Sequence, residues 1–184
     1  MKREVPLAQA HRLLSPRVVC LLTTQYKGQV NVMTIAWVCP VSLEPPLVAM
    51  AIHPACYTHD MLKRSQECVL NIPGRPLIEQ VAKCGRLSGA DADKVQLAGL
   101  ALEAGRRVQV PWIDGCLAHV ECGIVDMVMP GDHTLFWGEV LGAWVEEEAF
   151  DEVWLGPEDN EELQPLLHLG GSHFGLLGKK ITAT

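Results

Sequence analysis

Two long runs of strand-forming residues meet at the turn Pro130-Gly131-Asp132. The first run covers residues 117–129 and the second covers residues 133–145. Proline followed by glycine and aspartate is a strong turn signal, so the two runs are predicted to form one long antiparallel hairpin. A hairpin of this length predicts that the second half of the chain forms part of an antiparallel sheet.

Shorter runs of the same kind occur elsewhere in the chain. Residues 18–24 and 31–37 form a second predicted hairpin across Lys27-Gly28. The remaining strand candidates are residues 47–52, 67–72 and 166–169. Roughly seven strands without a regular β-α alternation predict a mainly β, antiparallel barrel rather than a doubly wound sheet.

Helical patterns are few and short. One helix is predicted over residues 60–64 with Thr58 as its N-cap, and another over residues 77–84, which Gly85 should end. The acidic stretch 146–162 is predicted to be a solvated helix or loop. We expect one domain over residues 1–184, with a C-terminal extension from about residue 146.

The composition is that of a compact domain on the apolar side. The 184 residues are 48% hydrophobic and 20% charged, which predicts a sizeable core and surplus apolar surface for self-association. The charged N-terminus lacks the apolar core of a signal peptide, and no run reaches the roughly 18 apolar residues that span a bilayer. We therefore expect a cytoplasmic protein without a membrane partner.

The charges are distributed unevenly. The net charge is −7, and no Lys or Arg occurs between Val108 and Gly178, whereas acidic residues such as Glu158 and Asp159 crowd residues 146–162. Nucleic acid is an unfavourable partner for such a surface. A phosphate-bearing ligand would have to find its side-chain cations in residues 1–107 or in Lys179-Lys180.

Several common kinds of site find no support in the sequence. Neither a dinucleotide-binding glycine motif nor a P-loop occurs. The seven cysteines include no C-x-x-C pair, and the histidines match no ligand spacing, so no metal site is predicted. Cys84 and Cys116 occur with His119 and His133, but nothing in the sequence links them as nucleophile and base.

The strand candidate at residues 31–37 has an unusual composition. Alternation places Asn31, Met33, Ile35 and Trp37 on one face, with Thr34 on the other, so neither face is purely apolar. Such a strand is either an ordinary strand with two tolerated polar residues or one wall of a site for a flat, polar ligand.

With these segments taken together, the chain resembles a family, the flavin reductase-like proteins with an FMN-binding split barrel, close to the flavoredoxins. The resemblance covers nearly the whole chain. Its main segments are Pro16-Arg17-Val18-Val19, Asn31-Val32-Met33-Thr34-Ile35-Ala36-Trp37, Pro45-Pro46-Leu47, Tyr57-Thr58-His59, Val69-Leu70-Asn71-Ile72-Pro73, Cys84-Gly85, Asp93-Lys94, Gly131-Asp132-His133-Thr134-Leu135-Phe136 and Leu167-His168-Leu169-Gly170-Gly171.

The resemblance implies an antiparallel, Greek-key split barrel that forms a homodimer and binds one FMN per subunit near the interface. The residues that it assigns to the cofactor are Asn31, Met33 and Thr34 at the ring and ribityl chain, Ala51, Ile52 and His53 beside them, Thr58 and Lys94 at the phosphate, and His168 and Gly170 from the C-terminal extension at the dimer interface. His133 is the candidate catalytic residue, as a contact to nicotinamide or substrate.

Two positions depart from the family pattern. Relatives usually have a small hydroxyl residue where this chain has His53, and an arginine where it has Cys56. The arginine that would bind the phosphate is therefore missing. Either Arg64, Arg86 or Lys63 replaces it, or FMN binds more weakly than is usual in the family.

The function implied is that of an FMN-dependent oxidoreductase. NAD(P)H would transfer hydride to bound FMN, and the electrons would pass to free flavin, ferric iron or a protein acceptor, so no side chain is obliged to act as acid or base. Two alternatives are a flavoredoxin-type electron carrier reduced by a protein partner and a split-barrel dimer that has lost its flavin.

Overall fold

The computed structural model describes residues 1–156 and 160–183. The acidic residues Glu158 and Asp159 and the last residue of the C-terminal extension lie outside the described residues. The strands are β1 Arg17–Val18, β2 Cys20–Tyr26, β3 Gln29–Ile35, β4 Val38–Leu43, β5 Pro46–Ile52, β6 Glu67–Pro73, β7 Leu102–Glu103, β8 Trp112–Ile113, β9 Cys116–Val128, β10 Thr134–Val145, β11 Phe150–Asp151, β12 Val153–Trp154, β13 Leu167–Gly170 and β14 His173–Gly175. The helices are α1 Tyr57–Ser65, α2 Ile78–Arg86 and α3 Lys94–Ala98, with 3-10 turns at Leu7–Leu14, Arg75–Leu77 and Glu161–Leu163.

Seven strands form the main sheet, in the order β3-β2-β6-β9-β10-β5-β4 with antiparallel neighbours. Both predicted hairpins are confirmed: β2 and β3 pair across Lys27-Gly28, and β9 and β10 pair across the Pro130 turn. The strands β6, β9 and β10 are adjacent, and β5 lies beside β10 after a long connection over α1, which is a Greek-key arrangement.

One apolar core joins the two ends of this sheet. Ile35 at the end of β3 and Val38 at the start of β4 pack on the same cluster, whose largest fully buried side chain is Phe136. Full burial of such a side chain contributes roughly 2 to 3 kcal/mol. Because the edge strands share a core, the sheet is curled, and the predicted mainly β, antiparallel split barrel is confirmed.

A second apolar core lies between the barrel and the helices. Val32 from β3 packs there with Val81 of α2 and Ala98 of α3. Leu166 joins this core, and β13 pairs with β1 and β14. Part of the C-terminal extension is therefore built into the same domain, and its predicted place at a dimer interface stays a prediction.

Local predictions were wrong at three places. The N-cap of α1 is Cys56, so Thr58 is the second residue of a longer helix. The helix α2 continues through Gly85 to Arg86. The acidic stretch contains the short ribbon of β11 and β12, where Phe150 packs edge-on against Trp154 at 5.5 Å. The contact between the two aromatic rings stabilises a two-stranded ribbon that the charge pattern did not predict.

A buried carboxylate fixes the loop before β8 against the sheet. Glu121 on β9 is fully buried and accepts hydrogen bonds from the backbone N–H groups of Arg106, Arg107 and Val108 at 2.7, 2.6 and 3.2 Å. It accepts a fourth from Nε1 of Trp112 at 2.6 Å. Four donors compensate for the desolvation of this charge.

Asn71 on β6 extends this arrangement, which we call the Glu121 network (Asn71, Trp112, His119, Glu121 and the backbone of 106–108). Its Oδ1 accepts from the backbone N–H of Ile113 at 3.0 Å and from Nδ1 of His119 at 2.8 Å. The His119 ring stacks on Trp112 at 4.3 Å. Burial and the nearby Arg106 guanidinium lower the pKa of His119 to about 4.

None of the helices in the described part of the chain is both long and apolar enough to cross a membrane.

Candidate functional site

A cavity of about 480 Å³, the first cavity, lies beside β3. Its walls come from β3 and the residues that follow it, from α2, from the end of β5, from His133 before β10, and from the C-terminal hairpin of β13 and β14. Segments distant in sequence therefore converge on one space, which is the usual construction of a small-molecule site.

The β3 wall is held by the neighbouring helix. Thr34 donates a hydrogen bond from Oγ1 to the carbonyl oxygen of Val81 on α2 at 2.6 Å. A Cβ at Gly85 would lie 3.4 Å from the Thr34 Cβ, an ordinary van der Waals distance, so the helix lies directly against the strand here. In the described residues β3 pairs only with β2, which leaves the other edge of its backbone with N–H and C=O groups for a ligand.

The opposite wall combines an indole and an imidazole. The backbone N–H of Ala51 donates to the carbonyl oxygen of Trp37 at 3.0 Å, which fixes the end of β5 beside the residue after β3. The Trp37 and His133 rings are 4.8 Å apart between centroids. Nδ1 of His133 bonds to Oδ1 of Asp132 at 2.7 Å, and this contact lowers the pKa of the Asp132 carboxyl.

The C-terminal hairpin supplies a polar atom without a protein partner. His168 lines the cavity, and its Nε2 lies 3.1 Å from the carbonyl oxygen of Gly171. Because a carbonyl oxygen only accepts, Nε2 carries the proton and Nδ1 of the neutral ring is an acceptor. This Nδ1 is buried and receives no hydrogen bond from the described residues.

A second cavity of about 490 Å³ lies further along β3 and is lined by Asn31 and Lys94. Nδ2 of Asn31 donates to Oγ1 of Thr58 at 2.7 Å. A Cβ at Gly89 would lie 2.0 Å from Oδ1 of Asn31, so only glycine allows this approach. The Lys94 side chain is buried, and Nζ donates to the carbonyl oxygen of Cys84 at 3.3 Å. Burial lowers the pKa of this ammonium group.

The two cavities are neighbours. Asn31 in the second and Met33 in the first are two residues apart on one strand, a separation of about 6.6 Å. The end of α2 and the loop after it also serve both, because Arg86 lines the first cavity and Gly89 lines the second. An elongated molecule with a flat end and an anionic end fits this pair of spaces.

Residues 12–176 match the model of the family described as flavin reductase like domain. The chain belongs to the flavin reductase like domain family. The match covers both cavities and most of the C-terminal hairpin, so the predicted family is confirmed.

Similar proteins span a wide range of organisms. An uncharacterized protein of Archaeoglobus fulgidus is 44% identical over 111 residues, which is 60% of this chain and 63% of that protein. One from Pyrococcus abyssi is 34% identical over 173 residues, covering 94% of this chain and 97% of that protein. A Streptomyces globisporus protein described as an NADH-dependent FAD reductase is 32% identical over 106 residues, 56% of each chain.

Among solved structures, the FMN-binding protein from Thermus thermophilus with bound p-hydroxybenzaldehyde is similar to this chain with a TM-score of 0.84. The two are 25% identical, and the alignment covers 100% of this chain and 98% of that one.

The structure brings most of the residues expected from the flavin reductase like family to the two cavities. The first cavity contains Met33, Thr34, Ala51, His133 and His168, and the second contains Asn31 and Lys94. Thr58 is hydrogen-bonded to Asn31, His53 packs on His133 at 5.1 Å, Gly170 precedes the lining residue Gly171, and Ile52 is in the barrel core. Their roles as cofactor contacts stay predictions.

One of the three cations proposed to replace the missing arginine lies at the site. Arg86 lines the first cavity, whereas the Arg64 guanidinium lies over the Tyr26 ring at 5.8 Å, and Lys63 is exposed on α1 and lines neither cavity. Sequence reasoning missed Arg17 and His11. The guanidinium of Arg17 lies 5.9 Å from the Trp37 ring centroid and donates to the carbonyl oxygen of His11. The only sequence signal was the Pro16-Arg17 segment.

Proposed function

We propose that this chain binds FMN across the two cavities and acts as an NAD(P)H-dependent flavin or ferric reductase. The isoalloxazine ring would occupy the first cavity, and the phosphate would lie toward Asn31, Thr58 and Lys94. The main support is the first cavity itself, a space of about 480 Å³ beside the edge of β3 that has no partner strand in the described residues, in a member of this family.

The ring end fits a flat molecule with a polar edge. Met33, Ala51 and Val81 offer apolar contact to ring faces, and the cavity volume falls in the range of roughly 300 to 1,000 Å³ of small-molecule sites. The pyrimidine edge of a flavin carries both N–H and C=O groups. The free edge of the β3 backbone can pair with both kinds.

The phosphate end fits an anion. Lys94 is a buried ammonium that donates to one carbonyl oxygen among the described residues, so these leave part of its hydrogen-bonding capacity unused. Arg86 adds a second positive charge in the neighbouring first cavity, at the end of α2. In a chain of net charge −7, these cations give the cavities a local field that opposes the overall charge.

FMN, when bound, supplies the hydride and electron chemistry. The residues of this chain orient and enclose it, and Trp37 and His133 form the mouth at which a second substrate would arrive. The support for a nicotinamide reductant is the description of the Streptomyces relative as NADH-dependent.

The test is the visible spectrum of the protein reconstituted with FMN, recorded anaerobically before and after NADH or NADPH. We expect a bound flavin spectrum that bleaches with one of the two nicotinamides and returns when free FMN or a ferric chelate is added. A bound flavin that neither nicotinamide bleaches would instead indicate an electron carrier.

A cavity-filling variant locates the site. Ala82→Phe places a ring in the first cavity and should abolish FMN binding, whereas Lys83→Phe, at the next and exposed position of α2, should leave it unchanged. Equal FMN affinity in the two variants would contradict this placement of the ring.

We also propose that the protein is a homodimer. Exposed apolar side chains occur along the long hairpin of β9 and β10, at Val125, Val128, Met129, Leu141 and Val145. Large apolar side chains left exposed on one element are typical of an interaction surface. Sedimentation should show a dimer that Leu141→Lys dissociates, and a wild-type monomer would refute this proposal.

A further inference from the structure

Three imidazole rings and an indole ring meet at the mouth of the first cavity. The His133 ring lies 4.8 Å from Trp37 and 5.1 Å from His53, and the His11 ring lies 5.7 Å from Trp37. Trp37 is 39% exposed, although it is a large apolar side chain. An exposed indole among polar rings offers a stacking surface for another planar molecule.

The charges at this mouth are the Arg17 guanidinium and the Asp132 carboxylate, and the guanidinium is the one that lies over the indole ring. The Arg17 guanidinium lies over Trp37 at 5.9 Å, so a molecule stacked on the indole would meet a fixed positive charge. The carboxylate of Asp132 is engaged by Nδ1 of His133 at 2.7 Å.

His53 adds a hydrogen-bond donor in a defined tautomer. Its Nδ1 accepts from the backbone N–H of Ala55 at 3.1 Å, so the neutral ring carries its proton on Nε2. The side chain is exposed beside His133.

We propose that this group of residues, His11, Arg17, Trp37, His53 and His133, selects a planar aromatic anion as the second substrate, with His53 as a specificity-determining residue. The inference rests on the proposed function, because it assumes that the substrate meets the flavin at the first cavity. Trp37 stacks on the substrate, Arg17 supplies the charge, and Nε2–H of His53 donates to the anionic group.

The test uses two redox-inert, nearly isosteric probes, 2-naphthalenesulfonate and its neutral sulfonamide, titrated by calorimetry into the protein with and without FMN. Wild type should bind the sulfonate about tenfold more tightly than the sulfonamide, because charged hydrogen bonds are stronger than neutral ones. Arg17→Gln and His53→Thr should each reduce that ratio to about threefold or less.

Arg64→Gln is the matched control. It removes the same charge from a guanidinium that also lies over an aromatic ring, at 5.8 Å from Tyr26, outside both cavities. Its ratio should equal that of wild type. Equal binding of the two probes to wild type, a ratio unchanged in both site variants, or a loss as large in Arg64→Gln would each overturn the proposal. Because the probes need no turnover, charge selection is tested even if NAD(P)H fails to reduce the flavin.

Discussion

Two buried asparagines, Asn71 in the Glu121 network and Asn31 beside the second cavity, differ in how the chain satisfies them. Nδ2 of Asn71 donates to the carbonyl oxygen of Leu21 at 2.8 Å, and its Oδ1 accepts two hydrogen bonds. Nδ2 of Asn31 donates to Thr58, but its Oδ1 accepts none from the described residues. The hydrogen bonds of the Asn71 amide are used within the fold, whereas the Asn31 amide oxygen can still accept a hydrogen bond from a ligand.

The two buried charges repeat this contrast. Within the part of the chain that the structure describes, Glu121 accepts four hydrogen bonds, whereas Lys94 makes one, to a backbone carbonyl. A buried polar group costs free energy unless its hydrogen bonds are made. We infer that buried polar groups whose hydrogen bonds are all made within the chain stabilise the fold. Buried polar groups with unused hydrogen-bonding capacity are retained because a ligand supplies the missing partners.

The largest effect should come from Glu121→Ala, which removes the acceptor for four donors. We expect the free energy of unfolding to fall by about 3 to 5 kcal/mol, because three backbone N–H groups and the Trp112 indole would stay buried without partners. Urea denaturation measures this. The control is Glu139→Ala, a half-buried position on β10, which should cost less than about 0.5 kcal/mol. A similar loss of stability in both variants would show that the hydrogen bonds of Glu121 do not stabilise the fold.

The two asparagines test the contrast directly. Asn71→Ala should cost about 2 to 3 kcal/mol of stability and leave the FMN affinity of the folded protein unchanged. Asn31→Ala should cost only about 1 kcal/mol, because one hydrogen bond is lost, but should weaken FMN binding by roughly tenfold. Denaturation and flavin-fluorescence titration give both values. If Asn71→Ala weakened FMN binding and Asn31→Ala did not, FMN would not lie beside Asn31.

The Glu121 network should also make stability depend on pH. The folded protein protonates His119 only near pH 4, whereas the unfolded chain does so near pH 6.5, so the unfolded state binds more protons between these values. Stability should therefore fall as the pH is lowered through this interval, by about 1 to 2 kcal/mol after allowance for solvent screening of a half-buried ring.

His119→Asn keeps a donor for Asn71 but cannot titrate. Its stability should change less between pH 7 and pH 4.5 than that of wild type, whereas His173→Asn, at an exposed position, should leave the wild-type slope intact. An unchanged slope in His119→Asn would show that another group governs the acid sensitivity.

The parts of the fold predicted from sequence are those decided locally. The Lys27-Gly28 and Pro130-Gly131-Asp132 turns sit between alternating runs, so both hairpins followed from short-range chemistry. By contrast, β4 passes through Pro40 with a bulge in its pairing to β5, and a proline normally argues against a strand. The pairing of β4 depends on its partner β5, and the residues around Pro40 alone do not predict that partner.

The candidate site divides in the same way. Met33 and Thr34 were expected from an unusual strand, and Lys94 from the resemblance to the family. The position of Arg17 over Trp37 and the four donors around Glu121 depend on how loops pack against strands, which no local sequence pattern records. Glu121 in particular looks like any strand glutamate until the loop before β8 is placed against it.

Lys94→Met separates the two kinds of buried polar group most sharply, because its two expected effects have opposite signs. Burial lowers the pKa of Lys94, so the charged form destabilises the flavin-free fold, and an apolar side chain of similar length should leave stability unchanged or raise it. FMN affinity should fall by about tenfold with loss of the charge. Lys83→Met, which removes an exposed charge on α2, controls for net charge and should change neither quantity. If Lys94→Met instead destabilised the flavin-free protein as Glu121→Ala does, Lys94 would belong with the groups that the fold itself completes.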